Sequence, residues 1–496
     1  MRDRKIIFWV RQAYALPEPA PRTEFLPGTV WWEVHGLPRK QQPGHRVDRW
    51  IYAPDEAGTS LLLTGAGREA VLADFDWVKV DPALLADAAV LAGLPRHRRI
   101  LAVTWRAKPL AALLADFAAL EKLGAAYYQI RFEVERAADG LLPLLLLKAL
   151  GRDDVVAYQD GAEGAWTRIL ATAMGAPAIV CTDAALPLPD GALPTAQLVQ
   201  DYGLPTRPEV DSVMGIAGNP VFKSLSPRLH NAAYRQTGRK ALYLPFHVQD
   251  YDDFFEGLVH APGWQDLGCR IDGLTVVSPF KEAGFRLAQR VAHPISGITQ
   301  SCNLVLRQDG QWVADTTDPL AVQAALQQLG IEPKGLQVAV IGCGGAGRAA
   351  ALTLLGAGAA VTMFNRSEER GALAARQLNI DFQLLSELTP SRFDILVNAT
   401  PLGKKPGEYP LDPALVPLSS VLIDYAYADQ PTPVIQALRA RGVACVDGRG
   451  VLVIQVRRQY QAMTGEEMPR ALATQLATPV SQPQLFPTPI YGNPEA

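Results

Sequence analysis

The residues with the clearest chemistry are glycines. In the run QVAVIGCGGAGRAAALTLLGAGAAVTMFNRS, a short apolar strand enters Gly342-x-Gly344-Gly345-x-Gly347 and an alanine-rich helix follows at once. The first glycine makes the tight turn, the second lets backbone approach a pyrophosphate, and the last permits close helix–strand packing. Phosphates then sit on the helix N-terminus, where free N–H groups and the helix dipole favour anions. Strand before, helix after and a second strand at the right distance raise a weak motif to a dinucleotide site, with Gly342, Gly344, Gly345, Ala346 and Gly347 as its cradle. The second strand ends in Asn365-Arg366-Ser367. An NAD site carries an acid there for the ribose 2′-OH, whereas an arginine suits the 2′-phosphate of NADP. Glu368 and Glu369 follow closely and blunt that preference.

Other chemistries are disfavoured. The five cysteines (Cys181, Cys269, Cys302, Cys343, Cys445) are scattered with no C-x-x-C pair, so neither a disulfide framework nor a metal site is expected, and a reducing cytosol suits them. Lys and Arg number 47 against 50 Asp and Glu, a net charge of -3, which removes the electrostatic case for nucleic acid or an anionic membrane. The basic start MRDRKIIFWVRQAY has an apolar run that stops at Arg11, too short for a signal peptide. No stretch approaches the roughly 20 apolar residues of a membrane helix. A cytoplasmic chain of about three domains acting on a small molecule is expected.

The elements that must position this chemistry form two βα series. From Lys5 to about Pro205, KIIFWV, TVWWEV, DRWIYA, DWVKV, RRILAVTW, AAYYQIRF, DDVVAY and APAIVC read as buried strands between amphipathic stretches. That alternation argues for a parallel sheet, and its length fits a small (β/α)₈ barrel of somewhat under the usual roughly 250 residues. The proline-rich, acidic run PLPDGALPTAQLVQDYGLPTRPEVDSV reads as a domain junction. Beyond it, VMGIAG, ALYLPF and GLTVV look like strands, with helices near PRLHNAAYRQTG and KEAGFRLAQRVA. The second series begins at Gln337 with QVAVIG, AVTMFN, DILVNAT and SVLIDYA.

From about Val213 the chain resembles the shikimate dehydrogenase family. GNPVFKSLSPRLHNAAY, GLTVVSPFKEA, SCNLV, ADTTDPLA, NATPLG, LIDYAY and GRGVLVIQ occur in the family's order. The resemblance implies reversible, NADP-dependent reduction of 3-dehydroshikimate to shikimate. It places Lys281 as the catalytic lysine and Asp318 as its partner. It makes Ser224, Ser226 and Tyr427 candidates for the substrate carboxylate, Asn303 and Gln455 for ring hydroxyls, and Thr275 a further substrate contact. Thr400 joins Asn365, Arg366 and Ser367 on the cofactor. Ser226 before Pro227 also reads as a helix N-cap, and His230 as structural.

Several residues depart from the family pattern: Lys223, Thr275, Val277, Thr316 and Val456. Val277 replaces a threonine hydroxyl by a methyl group, a loss of about 1–3 kcal/mol if that hydroxyl served a buried substrate group. A ring related to shikimate, such as quinate, is therefore an alternative substrate.

The first 205 residues resemble a type I 3-dehydroquinate dehydratase, with Glu33 and Arg168 in place and His35 where arginine is usual. Its Schiff-base lysine falls at Gln129, an amide unable to form an imine. Trp105 or Arg106 stands where its histidine would lie, and Lys79, Lys108 and Lys122 read as solvated surface charges. The implied architecture is α/β throughout. Residues 1–205 form a degenerate, dehydratase-like (β/α) barrel, inactive as a dehydratase, followed by a substrate domain at 211–318 and a Rossmann NADP domain at 319–446. Helices at 447–478 return to the substrate domain, and 479–496 form a proline-rich tail. A bifunctional enzyme with a relocated lysine and a non-catalytic metabolite sensor are the competing readings.

Overall fold

A computed structural model describes residues 5–11, 29–35, 48–54, 65–86, 88–184, 186–405, 407–428 and 430–478; the tail lies outside them. The described residues pack as two compact units: those within 5–215 together with 219–271, and those within 216–218 together with 272–478.

In the first unit, eight strands form one parallel sheet: β1 (Ile7–Arg11), β2 (Val30–His35), β3 (Arg49–Ala53), β4 (Trp77–Val80), β5 (Arg99–Arg106), β6 (Tyr127–Glu133), β7 (Val155–Gln159) and β8 (Ala178–Thr182). Their order is β7-β6-β5-β4-β3-β2-β1-β8, so first and last strands in sequence are neighbours and the sheet is a nearly closed barrel. Helices α1 (Gly65–Asp74), α2 (Ala88–Gly93), α3 (Leu110–Leu123), α4 (Leu142–Leu150) and α5 (Ala165–Ala173) are the crossovers. Alternate side chains turn inward, as the two-residue period of a strand requires. Trp9, Trp31, Trp77 and Tyr127 meet there, with Trp31 4.8 Å from Trp77 and 4.6 Å from Tyr127 between ring centres. One residue pair further along the same inner faces come Glu33, Lys79 and Gln129.

This overturns the surface reading of Lys79. Its amine lies 3.0 Å from Glu33 Oε1, and Glu33 is fully buried and also accepts from Trp9 Nε1 at 2.6 Å. A strand buried on both faces has no solvated side for a lysine, so only an internal carboxylate makes the position tolerable. Lys108 does lie at the surface, beside Asp116.

The proline-rich junction segment contains α6 (Thr195–Tyr202), which packs on α7 (Ser226–Thr237) in the same unit. The rest of the unit includes the start of β9 (Ser212–Gly218), β10 (Ala241–His247) and α8 (Gly263–Leu267). Trp166 of α5 fills the space between Phe246 and Trp264, 5.5 and 5.6 Å away.

In the second unit, β11 (Arg270–Val276) pairs antiparallel with β13 (Leu304–Gln308), and β13 with β14 (Gln311–Asp315). The helix expected over KEAGFRLAQRVA is shorter, α9 (Lys281–Leu287), because Arg290–Val291 leave it as β12 to pair with β14. After α10 (Pro294–Thr299) and α11 (Asp318–Leu329) comes a six-stranded parallel sheet of order β17-β16-β15-β18-β19-β20. Its strands are β15 (Gln337–Ile341), β16 (Ala360–Asn365), β17 (Asp381–Leu384), β18 (Ile395–Asn398), β19 (Val421–Asp424) and β20 (Ala444–Val446). This 3-2-1-4-5-6 order is the Rossmann arrangement, in which ligands bind beyond the carboxyl end of the first strand, where the order reverses. Helices α12 (Gly345–Gly356), α13 (Glu368–Leu378), α14 (Pro433–Ala440), α15 (Gly448–Thr464) and α16 (Arg470–Ala477) complete it. Among the described residues no helix is long and apolar enough to cross a membrane.

Candidate active site

Three segments of the second unit deliver polar side chains to one carboxylate. Asp318 opens α11, with Thr317 as N-cap and Pro319 in the first turn, a position where the helix dipole favours a negative charge. Lys281, the first residue of α9, donates to Asp318 Oδ2 at 2.7 Å. The other oxygen, Oδ1, accepts from Gln455 Nε2 of α15 at 2.7 Å and from Asn303 Nδ2, just before β13, at 3.0 Å. Asp318 is 2% exposed, so these donors rather than water satisfy its oxygens. An ammonium has three N–H donors and one is used here, which leaves the others for a reacting oxygen. The main chain couples the parts, since Cys302 N donates to Lys281 O and Val276 N to Asn303 O, both at 3.0 Å.

A further layer was not legible from the motifs. Gln459, one helical turn beyond Gln455 and 3% exposed, accepts from Thr275 Oγ1 and donates to Thr317 Oγ1, each at 3.4 Å. Thr317 Oγ1 also accepts from Asn303, whose own Oδ1 takes the Thr317 N–H at 2.9 Å. The i,i+4 spacing of the two glutamines on one helix face is the signal that would have found it. Tyr425 donates to Asp318 O at 3.2 Å. Tyr427 is not among these contacts; it is half-buried, with Lys404 Nζ 5.6 Å from its ring centre. It lines a cavity of about 940 Å³ with Gly448, Arg449 and Arg457, and neither Lys281 nor Asp318 lines that cavity.

The glycine loop lies against the same site. Gly342 has φ +107°, and a Cβ there would come within 2.8 Å of Thr400 Cγ2. A Cβ on Gly347 would collide with Gly342 O, which accounts for the last glycine of the motif. At Gly345 it would strike Ser301 Oγ and come within 3.2 Å of Lys281 Cδ. Gly344, the N-cap of α12, faces open space and no side chain caps the helix, so the cradle fits a dinucleotide pyrophosphate. Thr400 Oγ1 donates to Asn398 Oδ1 at 2.6 Å, and Asn398 Nδ2 reaches Asp424 Oδ1 at 2.8 Å. Burial pushes the Asp424 carboxyl up to about 6. Asn365 Nδ2 donates to Ser367 O at 2.9 Å, and Ser367 Oγ caps α13 by accepting from Arg370 N. Arg366 is exposed at the end of β16, free to meet a 2′-phosphate. Arg370, absent from the motif reading, is close enough to the loop for its charge to act on the Cys343 thiol, which burial nevertheless raises to about 11.

Ser224 and Ser226 belong to the first unit. Ser226 is not the N-cap: Leu225 holds that position without a side-chain cap, Ser226 is itself the buried first residue of α7, and its N–H donates to Ser224 Oγ at 3.2 Å. His230 stacks on Tyr243 at 4.1 Å and is wholly buried, a packing residue. Among the described residues, no group of three or more His, Cys, Asp or Glu side chains is placed to hold a metal ion.

Comparison with known proteins follows the same segment. The family described as the shikimate dehydrogenase substrate binding domain matches residues 216–305. A shikimate dehydrogenase (NADP(+)) of Archaeoglobus fulgidus is 35% identical over 263 residues, 51% of this chain and 93% of that protein. One from Citrifermentans bemidjiense is 33% identical over 286 residues, 54% of this chain and 96% of its own length. The crystal structure of shikimate dehydrogenase from Aquifex aeolicus aligns with a TM-score of 0.48 and 27% identity, covering 53% of this chain and 97% of that one.

Proposed function

On the premise that this chain belongs to the shikimate dehydrogenase family, we propose that it interconverts 3-dehydroshikimate and shikimate through Lys281 and Asp318. It is an NADP-dependent oxidoreductase, and the bound nicotinamide supplies or accepts the hydride. As charge grows on the substrate's carbonyl oxygen, the Lys281 ammonium stabilises it and delivers the proton. Asp318 holds that ammonium in place and aims it; with one carboxylate oxygen on the lysine, the other is held by Gln455 and Asn303. By the family resemblance, the carboxyl group of the acid falls to Ser224 and Ser226, and the ring hydroxyls to Asn303 and Gln455. The observation that carries the reading is the 2.7 Å contact between a half-buried lysine and a buried aspartate beside a glycine cradle.

Ring preference turns on β11 and the residue after it. Val277 offers no hydroxyl, and the hydroxyl of Thr275 is engaged by Gln459. A ring with a different hydroxyl pattern, such as quinate, is the second reading. Steady-state turnover of shikimate and quinate with NADP(+) and NAD(+) tests both. Turnover of shikimate with NADP(+) is expected, and no turnover of either acid with either cofactor would refute the dehydrogenase assignment.

The front barrel is proposed to be inert as a dehydratase. Gln129 is buried and donates to Tyr158 OH at 2.8 Å, which leaves no amine there for an imine. Lys79, the inward lysine, is tied to Glu33 as an ion pair. Borohydride with 3-dehydroquinate should trap no adduct on the chain; a stable adduct on Lys79 would instead make the enzyme bifunctional.

A further inference from the structure

The two serines assigned to the substrate carboxylate sit on a short segment that the front half holds from both ends. Gln197 of α6 donates through Nε2 to Phe222 O at 2.9 Å, two residues before Ser224. Asp201, on the next turn of α6 and 2% exposed, accepts from Arg228 Nε at 2.8 Å, two residues after Ser226. Between them the segment makes its own turn, with Ser224 N donating to Val221 O at 3.0 Å and Ser226 N to Ser224 Oγ at 3.2 Å. The Phe222 ring lies flat on His247, 5.3 Å between centres and 11° between planes. α6 ends at Gly203, φ +73°, where a Cβ would press on the Arg235 side chain of α7 at 2.9 Å.

We propose that α6 of the front half is a positioning element for carboxylate recognition, with Gln197 and Asp201 fixing the loop that presents Ser224 and Ser226. This deepens the proposed function and rests on its placement of those serines at the carboxylate. The barrel is then retained, although its own lysine chemistry is gone, because its last helix shapes the dehydrogenase's substrate loop. A loop that carries its own turn still samples other conformations unless its ends are fixed, and the fraction in the competent form scales directly into apparent affinity.

The test uses the full chain with Gln197→Glu, which removes the donor while keeping the shape, and Gln197→Ala. Loss of one ordinary hydrogen bond should raise KM for the hydroxy acid about 5- to 10-fold, with kcat and KM for NADP(+) within about twofold. Amide exchange of residues 221–226 should quicken about 5- to 10-fold in the same variants, a readout that needs no activity. Asp201→Glu, which preserves the charge, should recover more of the wild-type KM than Asp201→Asn. Unchanged KM and unchanged exchange in both Gln197 variants would overturn the proposal. So would an equal fall in kcat and melting temperature without a KM effect, which would mark α6 as mere scaffold. Ser224→Ala separates this from the reading beneath it: if it leaves KM unaltered while Gln197→Glu quickens loop exchange, the serine assignment fails and the proposed role in carboxylate recognition fails with it, and only the fixing of the loop by Gln197 remains.

Discussion

Arg348 Nη2 lies 2.6 Å from Glu282 Oε1, and Glu282 is the neighbour of Lys281. The same guanidinium donates to Thr299 O at 3.0 Å and Cys343 O at 3.2 Å, so one side chain ties the glycine loop, α9 and the end of α10 together. Two nitrogens of a planar fork reach these acceptors, whereas a lysine brings a single nitrogen on a flexible stem. Arg348→Lys should therefore lower kcat about 10-fold by loosening the approach of the glycine loop to Lys281, with the acid's KM little changed. Steady-state kinetics read this directly, and a wild-type kcat would show that the tie does not bear on the reaction.

Arg366 and Arg370 flank the N-terminus of α13, and the acids Glu368 and Glu369 lie between them. Charge-assisted hydrogen bonds to a phosphate are worth about 1.5–3 kcal/mol, so removing either arginine should cost roughly 10- to 150-fold in kcat/KM for NADP(+). With NAD(+), which has no 2′-phosphate, Arg366→Ala and Arg370→Ala should change kcat/KM by no more than about twofold on the same basis. Equal losses with both cofactors would show that the arginines do not read the 2′-phosphate.

Burial lowers the His230 pKa from 6.5 to about 3, so the folded chain binds that proton less readily than the unfolded chain. The contribution of the neutral ring is complete above about pH 6.5 and is lost as pH falls towards 3, up to roughly 5 kcal/mol. Urea unfolding between pH 7 and pH 4 should show a steeper acid loss for the wild type than for His230→Gln, which has nothing to titrate. Identical slopes would place the acid sensitivity elsewhere.

Sequence patterns carried the parts of the fold that are local. The glycine spacing, the strand before it and the arginine after the next strand fix the Rossmann loop, because each follows from backbone geometry within a few residues. The eight front strands were legible from apolar runs, although closure was not, since strand neighbours separated by the whole barrel leave no local mark. α6 was hidden in a proline-rich run because prolines at Pro194 and Pro205 bound a helix as readily as they break one. β12 was read as the end of a helix because its only reason to extend is the long-range pairing of Arg290 with Val313. The burial of Lys79 has a similar cause: nothing near it in sequence announces Glu33, 46 residues away. Gln459 and Arg348 have partners in other segments, and only the folded chain assembles those contacts.

The direct test of the central claim is the turnover of Lys281→Met with shikimate and NADP(+), alongside NADPH affinity measured by fluorescence. Loss of the proton donor should reduce kcat by about 10²–10⁴-fold while NADPH still binds with near wild-type affinity. A kcat within twofold of wild type would contradict the account, because the ammonium beside Asp318 would then have no part in the reaction.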